Sequence, residues 1–280
     1  MIHVQNLSFG YKQGRMLYEN LSLSLESGSI YGLLGKNGAG KSTFLKTLVG
    51  LLFPKVGSIS ISGFDPKKRR PSFLETIYFI PEEVNVPSLT IKQYLNLFAG
   101  FYPQFDENQF HNCLRVLDVR TNDKLTTLSF GQQKKFAIAF GLACNTKVLL
   151  LDEPTNGMDI PSKTQFRKLI SSVFTKDRML LISTHQVRDL DNLIDQVIII
   201  DNGHLLLHTS LADVTEKLCF TTVYDLPEEG AGDVLYSEES LKGISVVMRN
   251  TEKQDTKVNL EHLFNAVTAQ PAMTKEIFAN

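Results

Sequence analysis

The chain has 280 residues, 42% of them hydrophobic and 21% charged, with a formal net charge of −1. This suffices for one large α/β domain with a modest extension, and near-neutrality excludes a polyanion binder working by bulk electrostatics. Cys113, Cys144 and Cys219 are too few and scattered for a disulfide framework or a zinc site and point to a reducing compartment.

Residues 1–30 read as strands, with Leu21, Leu23 and Leu25 alternating with polar neighbours up to Gly28. Within them, Phe9-Gly10-Tyr11 offers an aromatic that either stacks on a purine or packs half-buried; composition alone favours packing. No basic region followed by an apolar core marks a secretory signal at Met1. No apolar run approaches the roughly 18 residues of a membrane span, so a membrane part is expected on a partner.

Ile30–Leu34 is a short apolar run that reads as a buried strand. It leads into Gly35-Lys36-Asn37-Gly38-Ala39-Gly40-Lys41-Ser42-Thr43, which fits G-x-x-x-x-G-K-[ST]. Glycines at 35, 38 and 40 let successive N–H groups turn inward as an anion nest, and the helix that follows adds its dipole. Lys41 is expected at the β- and γ-phosphates, Ser42 on Mg²⁺ and Thr43 at the α-phosphate. The helix is marked by Phe44, Leu45, Leu48, Leu51 and Leu52.

Gly57–Gly63 alternates as a half-buried strand. Pro66-Lys67-Lys68-Arg69-Arg70-Pro71 reads as a solvated loop. Thr76–Ile80 is a strand ending in Pro81-Glu82-Glu83. Thr90 caps a helix carrying Ile91, Tyr94, Leu95 and Phe98, and Phe110, Cys113, Leu114 and Leu117 mark a second. Residues 88 to 143 are therefore expected to form an inserted helical subdomain. At its end, Leu128-Ser129-Phe130-Gly131-Gln132 precedes a helix with Phe136 and Phe140; Ser129 there is either part of an anion site or a plain cap.

Val148–Leu151 is an apolar strand ending in Asp152-Glu153. In a protein with a phosphate loop, the first carboxylate orients Mg²⁺ and the second accepts a proton from attacking water. A helix marked by Phe166, Leu169 and Ile170, the strand Met179–Ser183, a helix with Val187, Leu190 and Ile194, and the strand Gln196–Ile200 follow. This alternation argues a parallel sheet covered on both faces. His204 and His208 fall on a strand, roughly 13 Å apart at 3.3 Å per residue, too far to share a metal. Beyond residue 215 come short strands (Phe220–Leu226, Ile244–Met248), separated by Gly230 and Gly232, and a terminal helix capped by Asn259.

These motifs, in this order, resemble the ATP-binding cassette (ABC) ATPases over residues 1 to about 214. Gly35–Thr43 matches the Walker A loop, Val148–Asp152 Walker B with the catalytic Glu153 after it, and Leu128–Gln132 the LSGGQ signature. Asn156-Gly157-Met158-Asp159 is similar to the D-loop, His185 to the switch histidine, and Tyr11 falls where the family stacks adenine, which reverses the packing reading. Phe130 replaces the second signature glycine, and Glu82 stands where most members have a Q-loop glutamine.

The resemblance implies an α/β fold: a P-loop NTPase core with a mainly parallel sheet flanked by helices, an N-terminal antiparallel β subdomain, the inserted helical subdomain and a small C-terminal α+β extension. Residues 1–214 would be the ATPase domain and 215–280 an accessory region similar to extensions on bacterial exporter-type subunits. It further implies a subunit that hydrolyses ATP with Mg²⁺, held by Ser42, Asp152 and Glu82. That subunit would pair as a homodimer or heterodimer with a second ABC ATPase and dock on an integral membrane permease at the cytoplasmic face, with no nucleic acid expected. In the dimer, Ser129, Phe130, Gly131 and Gln132 of one chain would face ATP in the phosphate loop of the other, with Asp159 in the D-loop between them. The alternatives are a soluble ABC ATPase acting on nucleic acid or ribosomes, and a nucleotide sensor without turnover.

Overall fold

The computed structural model describes residues 1–11, 16–120, 122, 124–225 and 234–279. Its centre is a six-stranded sheet in the order Ile77–Ile80, Val148–Asp152, Met179–Thr184, Ile30–Leu34, Gln196–Asp201 and His204–Ser210. The first five strands are parallel and the last pairs antiparallel. Strands sealed on both faces need continuous apolar sequence. Every residue of Ile30–Leu34, Val148–Asp152 and Met179–Thr184 is buried.

Because successive side chains point to opposite faces, each strand feeds two cores. Leu149, Leu151, Leu180, Ile182, Val197 and Ile199 join the core beneath the helices Glu107–Val116, Phe130–Ala143 and Ile160–Val173. Their neighbours Val148, Leu150, Leu181, Ile198 and Ile200 join the other, with Phe44 and Leu48 of the helix Lys41–Leu48. That second core is closed by a three-stranded antiparallel sheet, Tyr18–Leu25 beside Ile2–Phe9 beside Val56–Ile61.

Thr90 caps the helix Ile91–Phe98 by a reciprocal arrangement: its side chain accepts from the Gln93 N–H, and the Gln93 side chain accepts from the Thr90 N–H at 2.9 Å. Past the core, Leu218–Val223, Gly243–Arg249 and Val234–Ser240 form a second antiparallel sheet, with Gly243–Arg249 in the middle. The helices Leu260–Ala269 and Pro271–Phe278 follow, and Leu263, Ala266 and Val267 are wholly buried against the first core.

Three expectations change. The helix expected through Val187, Leu190 and Ile194 is a single 3-10 turn, Val187–Leu190. Asp189 is drawn inward by Thr155 and Lys163, and Asn192 adopts a left-handed φ of 59°, so the apolar spacing serves irregular chain. The basic run is not simply solvated: Pro66–Lys68 is a 3-10 turn, and the Arg69 guanidinium donates to the carbonyls of Val49 and Gly50 at 2.9 and 3.2 Å. There it offsets the unpaired carbonyls at the end of the phosphate-loop helix. The terminal helix is two helices, with Pro271 opening the second. Strand Val234–Ser240 is an addition, and Leu226, Gly230 and Gly232 lie outside the described residues.

Phe140, 1% exposed, is ringed by Tyr78, Tyr94, Tyr102, Phe105 and Phe110 with centroids 5.0–6.2 Å away. Phe140→Ala should cost about 3–5 kcal/mol of stability, measured by urea unfolding, and Phe140→Leu distinctly less.

Candidate nucleotide site

The phosphate loop is built by glycines in conformations other residues avoid. Gly38 and Gly40 have φ of 83° and 105°, and a Cβ on Gly40 would run into the ring of Tyr18, whose hydroxyl donates to the Gly40 carbonyl. Gly40 then caps the helix Lys41–Leu48. The buried Lys41 ammonium donates to the carbonyls of Gly35 and Lys36 at 2.7 and 3.3 Å, which aims its charge into the loop. Burial pulls its pKa down while the carboxylates of Glu153, Asp152 and Glu82 push back. Lys36 and Asn37 are exposed on the loop's rim, and Ala39 is buried beneath it. Tyr11 sits at the mouth, 66% exposed, its hydroxyl 2.7 Å from Thr43 Oγ1 and its ring edge-on to Phe9.

Strand Val148–Asp152 delivers the two carboxylates. Asp152 accepts from Ser183 Oγ at 2.5 Å and lies near enough to Ser42 for that hydroxyl to draw its pKa down. Its pKa is nevertheless raised, first by burial and then by the neighbouring Glu153 and Glu82. Glu153 is 4% exposed and has a φ of 45°. This unusual turn folds its carboxylate back onto the end of strand Met179–Thr184. There it accepts from the backbone N–H of His185 at 2.9 Å and from Thr184 Oγ1 at 3.0 Å, and lies 2.8 Å from His185 Nδ1. Lys41 Nζ is 3.7 Å away. The structure thus brings Lys41, Ser42, Asp152, Glu153 and His185 together. Glu82 is near enough to shift Asp152 and Lys41, but its carboxylate is engaged by Asn156 Nδ2 at 2.9 Å.

Ser129 caps the helix Phe130–Ala143, accepting from the Gln132 N–H at 3.3 Å, with Gln132 returning the bond to the Ser129 backbone. This helix start faces the segment 156–159: a Cβ on Gly131 would lie 3.3 Å from the Gly157 carbonyl, and a Cβ on Gly157 would meet the half-exposed Phe130 ring at 3.6 Å. Asp159 caps the next helix, Ile160–Val173, accepting from the Ser162 N–H at 3.0 Å.

Sequence reasoning passed over Lys134. It is fully buried, and its ammonium donates to the Glu153 carbonyl at 2.6 Å, pinning the helix Phe130–Ala143 to the turn at Glu153. The signal was a lysine spaced one turn from Phe130 and Ile138 on an otherwise apolar face. Asn156, Ser183 and Asp189 were likewise given no role of their own.

A glycine-built anion loop at a helix start, with strand-end carboxylates beside it on a parallel sheet, defines a P-loop nucleoside triphosphatase. The family model described as ABC transporter matches residues 18–156. The uncharacterized ABC transporter ATP-binding protein YdbJ of Bacillus subtilis is 31% identical over 88% of this chain and 82% of its own. From the same organism, the ABC transporter ATP-binding protein YtrB is 26% identical over 95% and 97%. Among solved structures, an ATP-binding subunit of an ABC transporter superposes with a TM-score of 0.68 at 26% identity, over 76% of this chain and 91% of that one. The cbiO1 protein of Clostridium perfringens, part of the ABC transporter complex cbiONQ, gives 0.63 at 25% identity over 76% and 89%. The chain belongs to the ABC transporter ATP-binding family and is an ATP-binding, ATP-hydrolysing subunit of a transporter.

A carboxylate whose pKa is raised on folding opposes folding wherever it is ionised, that is, above its unfolded pKa. Asp152→Asn should therefore raise the thermal midpoint of the nucleotide-free protein by a few degrees at neutral pH, with the gain fading as pH falls through the carboxylate range. The same variant should lose metal-dependent ATP hydrolysis, and calorimetry in EDTA beside a phosphate-release assay checks both.

Proposed function

We propose that Glu153 is the general base of ATP hydrolysis and that the motor works as a nucleotide-sandwich dimer. What carries this reading is the grip on Glu153: its carboxylate is held by Thr184 and by both the backbone and ring of His185, beside Lys41. A base so fixed needs no reorganisation to take a proton from water. Backbone from Gly35 to Gly40, including Lys36, Asn37, Gly38 and Ala39, cradles the phosphates with Lys41 and Thr43, and Tyr11 stacks on adenine. His185, whose Nδ1 faces Glu153, offers its other ring nitrogen to the γ-phosphate.

Ser42, Asp152 and Glu82 supply the hard oxygen donors that suit Mg²⁺, and both Ser42 and Glu82 lie near enough to Asp152 to shift its pKa. An ion held there would supply positive charge to offset that of the nucleotide's phosphates. Glu82 would exchange its bond with Asn156 for this role.

In the dimer, Ser129, Phe130, Gly131 and Gln132 of one chain face the nucleotide held by Lys41 of the other, and Asp159 lies in the D-loop at the seam. The partner is either a second copy or a sibling ATPase. ATP bonds the two faces by its charge, and hydrolysis parts them. Residues 88–143 are the lever within an ATPase unit of residues 1–214.

No helix among the described residues is long and apolar enough to cross a membrane. The transporter relatives support docking of this chain, at the cytoplasmic face, on a separate integral membrane permease, and they speak against the nucleic-acid reading. The docking place is an apolar groove of about 680 Å³ lined by Leu51, Leu74, Phe79, Phe98, Phe101 and Tyr102, with Leu51 and Phe101 52% and 67% exposed.

Glu153→Gln should lower turnover by about 10²–10⁴-fold, the usual worth of a general base, while ATP accumulates in a dimer. Size-exclusion chromatography with a phosphate-release assay reads both, and wild-type turnover would remove Glu153 as the base. Phe101→Glu should abolish co-purification with the membrane protein that accompanies the wild-type chain, leaving ATP binding intact.

A further inference from the structure

The segment that presents His185 has little regular structure of its own. After strand Met179–Thr184 the chain makes the one turn Val187–Leu190 and runs on without helix or strand until Gln196. A side chain on such a segment is held only as well as the anchors of its backbone. Among the described residues, this segment is anchored both by polar contacts near Glu153 and by the C-terminal helix.

The first anchor is polar. Asp189, 7% exposed, accepts from Thr155 Oγ1 at 2.6 Å and from Lys163 Nζ at 2.8 Å, tying the turn to the residue two past Glu153 and to helix Ile160–Val173. The second comes from the far end of the chain. Helix Leu260–Ala269 packs on the Val187–Leu190 turn, and its Leu260, Leu263, Ala266 and Val267 share a core with Leu190 and Leu193. Asn259 pins the start of this helix by accepting from the N–H groups of Glu261 and His262, both at 3.0 Å. That fixes Glu261 over the turn, where its Oε2 accepts from Arg188 Nε and Nη2 at 2.8 Å each. Arg188 is three residues from His185.

We propose that the C-terminal helix Leu260–Ala269 is a positioning element of the ATPase site: through the Arg188–Glu261 pair and the buried leucines, it clamps the turn that holds His185 against Glu153. Residues 215–280 then have a part in turnover from outside the cluster of Lys41, Asp152, Glu153 and His185. This rests on the roles given above to His185 and Glu153. If the helix were only a cover, altering Glu261 at the surface would leave hydrolysis unchanged.

The test is steady-state ATP hydrolysis by the full chain carrying Arg188→Glu, Glu261→Arg or both, with His185→Ala alongside. An exposed pair of this kind moves an equilibrium by about two- to five-fold. Each single variant should therefore lower kcat by about that factor with KM for ATP unchanged, and the exchanged pair should recover it. The Arg188 side chain is 83% and the Glu261 side chain 46% exposed, and thermal midpoints taken in parallel show whether each variant is folded. Backbone amide exchange at 185–190 should quicken in the single variants and slow again in the double. Wild-type kcat in both single variants, with His185→Ala inactive, overturns the clamp; so does failure of the double variant to recover. Normal turnover in His185→Ala instead removes the assignment of His185, and the clamp with it.

Discussion

The site depends on one constraint, the parallel pairing of four neighbouring strands. Ile77–Ile80, Val148–Asp152, Met179–Thr184 and Ile30–Leu34 lie side by side and run the same way. Their carboxyl ends therefore emerge on a single edge, and each releases one part of the machinery: Glu82, then Asp152 and Glu153, then His185, then the phosphate loop. Ligands of open α/β sheets gather at this edge because that is where the chain leaves regular structure. Burial on both faces fixes the register, since slipping one strand by a residue would exchange the sides that feed the two cores.

Electrostatics give the edge its character. Three carboxylates, Glu82, Asp152 and Glu153, are gathered around two buried ammonium groups, Lys41 and Lys134. Burial opposes the charge of Lys41, Lys134 and Asp152 alike, so the cluster is costly to assemble and is offset by hydrogen bonds from Ser183, Thr184 and the His185 backbone. The left-handed turn at Glu153 adds a local backbone cost for a defined carboxylate position. The layout favours preorganised charge over stability.

Much of this was legible in the residues because its determinants are local. The phosphate loop is a contiguous pattern of glycines, and the strands of the parallel sheet announce themselves as unbroken apolar runs. Asp152, Glu153 and His185 stand at the ends of such runs, so locating the strands located them. What escaped depends on partners distant in sequence. Lys134 is a surface-type residue whose burial is set by a carbonyl nineteen positions on. The segment after His185 has helical spacing, yet Asp189 finds Thr155 and Lys163 more than twenty residues away, and those bonds decide its shape. Arg69 looked like one of four solvated cations until the helix end at Val49 and Gly50 was placed beside it.

Both departures from the family pattern face adjacent residues: Glu82 bonds Asn156, and the Phe130 ring faces Gly157 at a distance that a Cβ there would close to 3.6 Å. The Asn156-Gly157 segment is bonded by Glu82 and bordered by Phe130, which stand where the family pattern has a glutamine and a glycine. This makes positions 82, 130 and 156–157 one exchangeable unit. A side chain other than asparagine at 156 would leave the Glu82 carboxylate without this donor, and any side chain at 157 would fill the space beneath the Phe130 ring.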